Sequence, residues 1–512
     1  MTAARPPTTT LLVGGGIHTL DRSSRLPRRA LLMAGDRIVW IGPSARAAPP
    51  HDHEIDLGGA WMCPSFVDAH VHGTATGLSL TGLDLAGTSS LTECLDRLRH
   101  HVKEHGDAVV VGFSWDDSAW PEQRHPTAAD IAEAAPGRMV LLTRADGHSC
   151  VVDPGTLARL PLDGLSGVDR DRHGDPTGLL VEQACEAARR RLFARLPDAQ
   201  LHAARWATCR RAAALGIGSL HEMGHPGFSS LSDARAWAVG EWPVEVHTWW
   251  AQLDPDLEEG LRPGGDLLLD GSIGSRTAAV LDGYADGGGA GRLFHDDESV
   301  AAFFIGATRA GRGAAVHAVG DRAVEQAVRA LEAAASAVGV REVRACRHRI
   351  EHAVMVTPEH VSRLAALGVV VSVQPAFDAL WGGPDGLYAR RFGPATTRDL
   401  NPLAWFAAAG VPMAFGSDST VTPLDPWAAV HAAEHHRGGH SLSRLEALVA
   451  HTLGGRFAAG QDDVGPLRPG ARADLAVWRD DPLAADDPRD PACLATVVAG
   501  RVAHGALGLP HG

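Results

Sequence analysis

The stretch Pro64-Ser65-Phe66-Val67-Asp68-Ala69-His70-Val71-His72 closes an apolar run with two histidines one residue apart. On a strand, alternate side chains share a face, so His70 and His72 project to the same side, about 6.5 Å apart along the backbone. Two imidazoles on one face can converge on one metal ion. Three further polar residues, His317, His352 and Asp418, also stand at the ends of strand-like runs.

Those runs are Ser65 to His72, Gly216 to His221, Val244 to Trp250, Asp266 to Asp270, Ala314 to His317, Arg347 to His352, Val369 to Gln374 and Pro412 to Ser417, alternating with Ala/Leu/Arg-rich helical stretches. Such alternation points to an α/β protein of repeated βα units, and eight strands close a (β/α)8 TIM barrel. His317 and His352 are 35 residues apart, and His352 and Asp418 are 66 apart. These steps match one and two βα units when roughly 250 residues are shared among eight. Ligands on strands one, five, six and eight would open onto the C-terminal face, where barrel active sites lie.

The 512 residues leave material beyond the barrel. Short strand-like runs at Thr10 to Val13, Arg29 to Met33 and Arg37 to Ile41 are matched near the other end by Ala473 to Trp478 and Ala495 to Val502. We expect residues 1–60 and 440–512 to form one small β-sandwich domain beside a barrel of residues 61–439. The segment 73–205 is too long for one βα connection, and its own strand-like runs at Ala108 to Trp115 and Met139 to Arg144 suggest an inserted subdomain capping the barrel mouth.

Hydrophobic residues make up 45 % and charged residues 21 %, as in an ordinary globular protein. The net charge of −14, with no basic block, argues against nucleic acid and anionic membrane as partners and for a small-molecule substrate. The sequence leaves open whether the chain forms a homo-oligomer. No apolar run is long enough to span a bilayer and no signal segment opens the chain, so a cytoplasmic location is expected. Seven scattered cysteines suggest neither a disulfide framework nor a cysteine zinc site.

Imidazole together with carboxylate suits zinc and neighbouring divalent metals, with a position left open for water. Such a metal lowers the water's pKa to about 7 and polarises a carbonyl oxygen, and Asp418 is placed to accept the proton and pass it to the leaving group.

The ordered set of motifs resembles the amidohydrolase superfamily, and specifically its third family, related to N-substituted formamide deformylase. The matching stretches are Pro64 to His72, Asp270-Gly271-Ser272-Ile273-Gly274-Ser275-Arg276-Thr277-Ala278, His317-Ala318-Val319-Gly320-Asp321, Arg349-Ile350-Glu351-His352, and Gly416-Ser417-Asp418 followed by Pro423-Leu424-Asp425-Pro426. The resemblance implies that His70, His72, His317, His352 and Asp418 are metal ligands, with Asp418 also the general base. It further implies that Gly112 to Asp116 and Arg144 to His148 border the substrate pocket, which makes His148 the first candidate to face substrate, followed by Trp115, Arg276 and Gln374.

Many such relatives carry a lysine four residues before the aspartate of the Asp-Gly-Ser motif, whose carboxylated form bridges two metals. Asp266 stands there in this chain, shorter by three methylenes and a nitrogen, and is the remaining candidate ligand. Lys103, the one lysine among 47 basic residues, lies in a charge-rich helical stretch and cannot replace it. One tightly held metal, zinc by preference, is therefore expected. His100, His101, His105, His431, His435 and His436 read as solvated helix faces.

The expected reaction is hydrolysis of a non-peptide C–N bond, in an amide or formamide. A mononuclear deaminase is the competing enzyme, but it would offer a glutamate three residues after the strand-five histidine, where Gly320 stands. A metal-binding but inactive barrel acting as a binding protein is the reading from another class, and it would be marked by loss of Asp418.

Overall fold

The β-branched runs that alternate with helical stretches become eight short strands: β1 (Phe66–Val71), β2 (Ile217–Gly224), β3 (Glu245–Trp250), β4 (Leu261–Pro263), β5 (Ala315–Ala318), β6 (Arg349–His352), β7 (Val370–Val373) and β8 (Met413–Phe415). The computed structural model describes residues 7–21, 29–106, 108–117, 120–144, 149–162, 164–181, 183–226, 229–484 and 491–507. The strands form two four-stranded sheets, ordered β4-β3-β2-β1 and β5-β6-β7-β8. Pairings β1–β2, β3–β4, β5–β6, β6–β7 and β7–β8 are parallel. Two isolated parallel bridges join Val71 of β1 to Ser419, beyond the end of β8, and Leu268, beyond the end of β4, to His317 of β5.

The fourth strand departs from its expected position. Regular pairing occurs at Leu261–Pro263, and the segment from Asp266 to Asp270 keeps only the Leu268 bridge, with His317 N donating to Leu267 O (2.9 Å) and Leu269 N to His317 O (3.0 Å). The cause is Gly264-Gly265, both left-handed (φ 84° and 78°), which ends the strand and re-aims the chain. A Cβ on Gly264 would sit 1.8 Å from Ala315 O, so only glycine permits this approach to β5.

Helices between the strands bury one apolar side each. The helix Asp321–Ala337 buries Val324, Ala327, Val328, Leu331 and Ala334, a three-four spacing that forms a single stripe. These side chains join Phe66, Leu220, Val316, Ile350, Val371 and Phe415 of the strands in one core, each large side chain contributing roughly 1.5–3 kcal/mol of burial.

Chain contacts divide the molecule into two compact units, Met1–Val71 with Cys209–Met223 and Arg235–Gly512, and His72–Thr208 with Gly224–Ala234. Within the first unit, the strands Thr9–Val13, Ala30–Ala34, Arg37–Gly42 and His53–Asp56 form one sheet. A second sheet takes Gly16–Ile17 and Trp61–Pro64 from one end of the chain and Leu475–Trp478, Cys493–Val498 and Arg501–Gly505 from the other. Residues of both sheets, among them Leu12, Leu31, Met62, Leu475 and Val497, share a core.

The second unit is built on a six-stranded mixed sheet that contains Val109–Trp115 and Met139–Arg144, the two runs anticipated there. The helix Leu91–His105, with Ser90 as its N-cap and Gly106 left-handed at its C-cap, holds Lys103 in this unit. Among the described residues, no helix is long and apolar enough to cross a membrane.

Candidate metal centre

Alternation along β1 turns Asp68 and His70 to one side, and His72 follows directly after the strand. β8 closes on them. A Cβ on Gly416 would lie 2.5 Å from His70 N, so glycine alone allows β8 to run this near. Asp418 N donates to His70 O (2.7 Å), and Oδ1 of Asp68 accepts from both Ser417 N (2.9 Å) and His70 N (3.2 Å). Burial pushes the Asp68 carboxyl up to about 6 against the hydrogen bonds from Ser417 and His70, with the Asp418 charge adding to the rise.

His70, His72, Asp266, His317, His352 and Asp418 are all buried. Two groups of potential ligand atoms, each within 4.8 Å of one another, stand out among the described residues: His70, His72 and Asp418, and His70, Asp266 and His352. Nε2 of His70 lies 3.5 Å from Asp418 Oδ1 and 4.0 Å from Asp266 Oδ1. The same Asp266 oxygen lies 3.0 Å from His317 Nδ1 and 3.5 Å from His352 Nε2. Ligands of a tetrahedral zinc, bonded at about 2.0–2.1 Å, stand about 3.3–3.4 Å apart, so these separations fit a shared cation.

Asp266, the candidate ligand standing where relatives keep lysine, lies close to the histidines. The glycine break after β4 brings the backbone itself inward, and Asp266 stands among three of the histidines. Burial opposes its charge, yet hydrogen bonds from His317 and His352 hold its carboxyl well below the ordinary range.

Left-handed backbone recurs at this place. His352 (φ 69°), Ala353 (φ 45°) and Asp418 (φ 53°) are all non-glycine residues in that sparsely populated region, as is common where function fixes geometry. At His352 this twist breaks the alternation of β6, so consecutive residues serve the same centre: Glu351 reaches His70 and His352 reaches Asp266.

The Asp-Gly-Ser motif supports the centre through the side chain of its aspartate. Asp270 Oδ1 accepts from Val319 N (3.0 Å), and Oδ2 accepts from Gly320 N and Ala279 N (both 2.8 Å). It thereby clamps the turn that follows His317.

The proposed substrate contacts separate. Gln374 is buried and its Oε1 accepts from His352 Nδ1 (2.8 Å), which turns Nε2 of that ring toward Asp266. Phe377, one turn further on, stacks on His352 at 5.9 Å. Arg276 is paired with Asp286 at 2.8 Å. Trp115 is in the apolar core of the second unit, its indole donating to Leu142 O (2.9 Å). His148 lies outside the described residues. Among the expected solvated histidines, His101 and His436 are in fact buried, His101 stacking on His105 and His436 beside Asp378, and no ligand group forms around them among the described residues.

The residues missed by sequence reading are Glu351 and Arg349. Oε2 of Glu351 accepts from His70 Nδ1 (2.8 Å), and Arg349 holds both Glu351 oxygens, through Nε (2.8 Å) and NH2 (2.9 Å). Both are fully buried. Two opposite charges two residues apart on a strand were the available signal, since they must face the same side.

The amidohydrolase family model matches residues 53–504. The chain is 27 % identical to Protein LONG AFTER FAR-RED 3 of Arabidopsis thaliana, covering 91 % of this chain and 86 % of that one. It is 24 % identical to N-substituted formamide deformylase of Arthrobacter pascens, covering 96 % and 97 %. An uncharacterized metal-dependent hydrolase from Pyrococcus furiosus superposes with a TM-score of 0.78 at 27 % identity, covering 93 % of this chain and all of that one. A match over most of the chain, spanning every strand end that carries a histidine or aspartate of the centre, makes this protein a member of the amidohydrolase family of hydrolases.

Proposed function

We propose that the chain hydrolyses a C–N bond of a small amide or formamide, with a divalent metal, zinc by preference, held by His70, His72, His317, His352, Asp266 and Asp418. The observation that carries this reading is the convergence of buried donors in two groups that share His70, one with His72 and Asp418 and one with Asp266 and His352, with His317 beside Asp266. The two bridged parallel sheets are read as one closed (β/α)8 barrel, whose C-terminal face presents the donors. When bound, the metal supplies Lewis-acid polarisation of a carbonyl and a water of lowered pKa.

The chain's residues do the rest. Gln374 and Glu351 orient the two imidazoles His352 and His70. Asp418 is the general base, taking a proton from the attacking water and returning it to the leaving nitrogen. The likeness to a formamide deformylase over nearly the whole chain favours an amide or formamide substrate. A deaminase is disfavoured because Gly320 has no side chain to shuttle a proton, and the neighbouring Asp321 accepts from Leu281 N at a helix start. A cytoplasmic location is in keeping with seven cysteines among which no disulfide forms, five of them buried.

Assay of the purified, metal-loaded protein on a panel of N-substituted formamides, small amides and aminopyrimidines tests this. Release of formate or carboxylate with amine is the expected result, and ammonia release from aminopyrimidines alone would replace it with the deaminase.

A further inference from the structure

The interior of the strand layer holds a chain of charged and polar groups that runs from His221 to the Nδ1 side of His70. Arg349 NH1 donates to His221 Nδ1 (2.9 Å), NH2 donates to Ala69 O (2.7 Å), and the guanidinium lies over the Trp249 ring at 4.6 Å. Its remaining donors grip both oxygens of Glu351, whose Oε2 meets His70 Nδ1. Three strands contribute its titratable members: β1 gives His70, β2 gives His221, and β6 gives both Arg349 and Glu351. An ion pair this deep carries a large desolvation cost, and replacing it with apolar side chains is often neutral or stabilising, so stability alone is a weak reason for its presence.

We propose that Glu351, locked by Arg349, is the positioning residue that sets the tautomer and orientation of His70 and so determines how tightly the centre holds its metal. A carboxylate whose two oxygens are both gripped by a guanidinium is an acceptor only, so His70 Nδ1 must be the donor of the 2.8 Å bond. A neutral imidazole protonated at Nδ1 leaves the lone pair at Nε2, the atom that faces Asp418 and Asp266. Arg349 fixes the same ring twice, once through Glu351 and once through the carbonyl of Ala69, the residue before it.

This inference rests on the metal reading above, and the test separates the two. The full chain is stripped with a chelator, and its zinc affinity is measured by competition with a chromophoric chelator, with circular dichroism as the check on folding. Wild type, Glu351→Gln, Glu351→Asp, His70→Ala and the double variant His70→Ala/Glu351→Gln are compared. Glu351→Gln and Glu351→Asp are expected to bind zinc 10- to 100-fold more weakly, the range for lost partners of metal ligands. Because Glu351 acts through His70, the double variant should bind no more weakly than His70→Ala alone. Wild-type affinity in either folded Glu351 variant overturns the proposal, as does a full additional loss in the double variant. If neither Glu351 variant folds, Glu351 serves the strand layer itself and the assignment is likewise overturned. A wild type that takes up no zinc would refute the metal reading instead.

Discussion

Oδ1 of Asp266 stands 3.0 Å from Nδ1 of His317, on a segment whose regular pairing has just been ended by Gly264 and Gly265. A carboxylate with a single methylene reaches the centre because the backbone comes to it. Both donor groups at the centre include His70, whose Nδ1 is engaged by Glu351, leaving one lone pair at Nε2 for one cation. One equivalent of metal should therefore survive dialysis. Asp266→Ala should weaken its retention by more than about tenfold, since it removes a charged donor where lost supporting partners alone cost 10- to 100-fold. Elemental analysis after dialysis checks this, and two retained equivalents in wild type would contradict it.

Asp418 separates metal binding from proton transfer. Asp418→Asn keeps size and an oxygen donor but cannot take a proton, and general-base catalysis contributes ~10²–10⁴ in rate. Its kcat should fall by at least about two orders of magnitude in protein that stays folded and metal-loaded. His70→Ala should instead lower the metal content itself. An Asp418→Asn enzyme with full metal and a rate within a few-fold of wild type would remove Asp418 from the proton path.

Asp270 should behave as a structural clamp. It accepts three backbone N–H groups, two of them on Oδ2. Asp270→Asn presents an amide N–H₂ to one side of that cluster and leaves one or two buried donors unsatisfied, at about 1–3 kcal/mol each. Chemical denaturation should show a loss of roughly 1–6 kcal/mol. An unchanged midpoint would mean that the turn after His317 is held by something else.

How legible this was differs from residue to residue. His70, His72, His317, His352 and Asp418 could be found because strand periodicity and βα spacing act on residues in sequence order. The fourth strand was misplaced because its end is set by paired left-handed glycines packed against Ala315, a tertiary contact with no periodic signature. Glu351 was overlooked because alternation sends residues 351 and 352 to opposite sides, and only the positive φ of His352 brings both to one centre. Gln374 was placed against substrate, and strand spacing gave no sign that its oxygen accepts from His352 Nδ1. Trp115 was placed at the pocket and lies in a core, since a tryptophan in a strand carries no mark of which side faces solvent.

His348 ties stability to pH away from the centre. Its Nδ1 accepts from Ala314 N (3.1 Å) and its Nε2–H donates to Thr308 Oγ1 (2.9 Å), so the neutral ring is fully used. Burial pushes it down to about 4 from an ordinary 6.5. Above pH 6.5 the ring is neutral both folded and unfolded, and its contribution is complete. As pH falls from 6.5 toward 4, the unfolded chain takes up a proton that the folded chain refuses, and stability drops by about 2–3 kcal/mol. Denaturation midpoints at pH 7 and pH 5 should therefore differ more in wild type than in His348→Asn. Equal pH dependence in the two proteins would show that His348 is not the group responsible.

The most direct test of the whole account is metal dependence in one preparation. Metal is quantified by elemental analysis in the purified chain, removed with a chelator, and restored with zinc, manganese or cobalt while hydrolysis of a responsive amide or formamide is followed. The account predicts about one equivalent of metal at the start, loss of hydrolysis on stripping, and recovery on reloading with retained secondary structure throughout. Full activity in protein shown to be metal-free would contradict it.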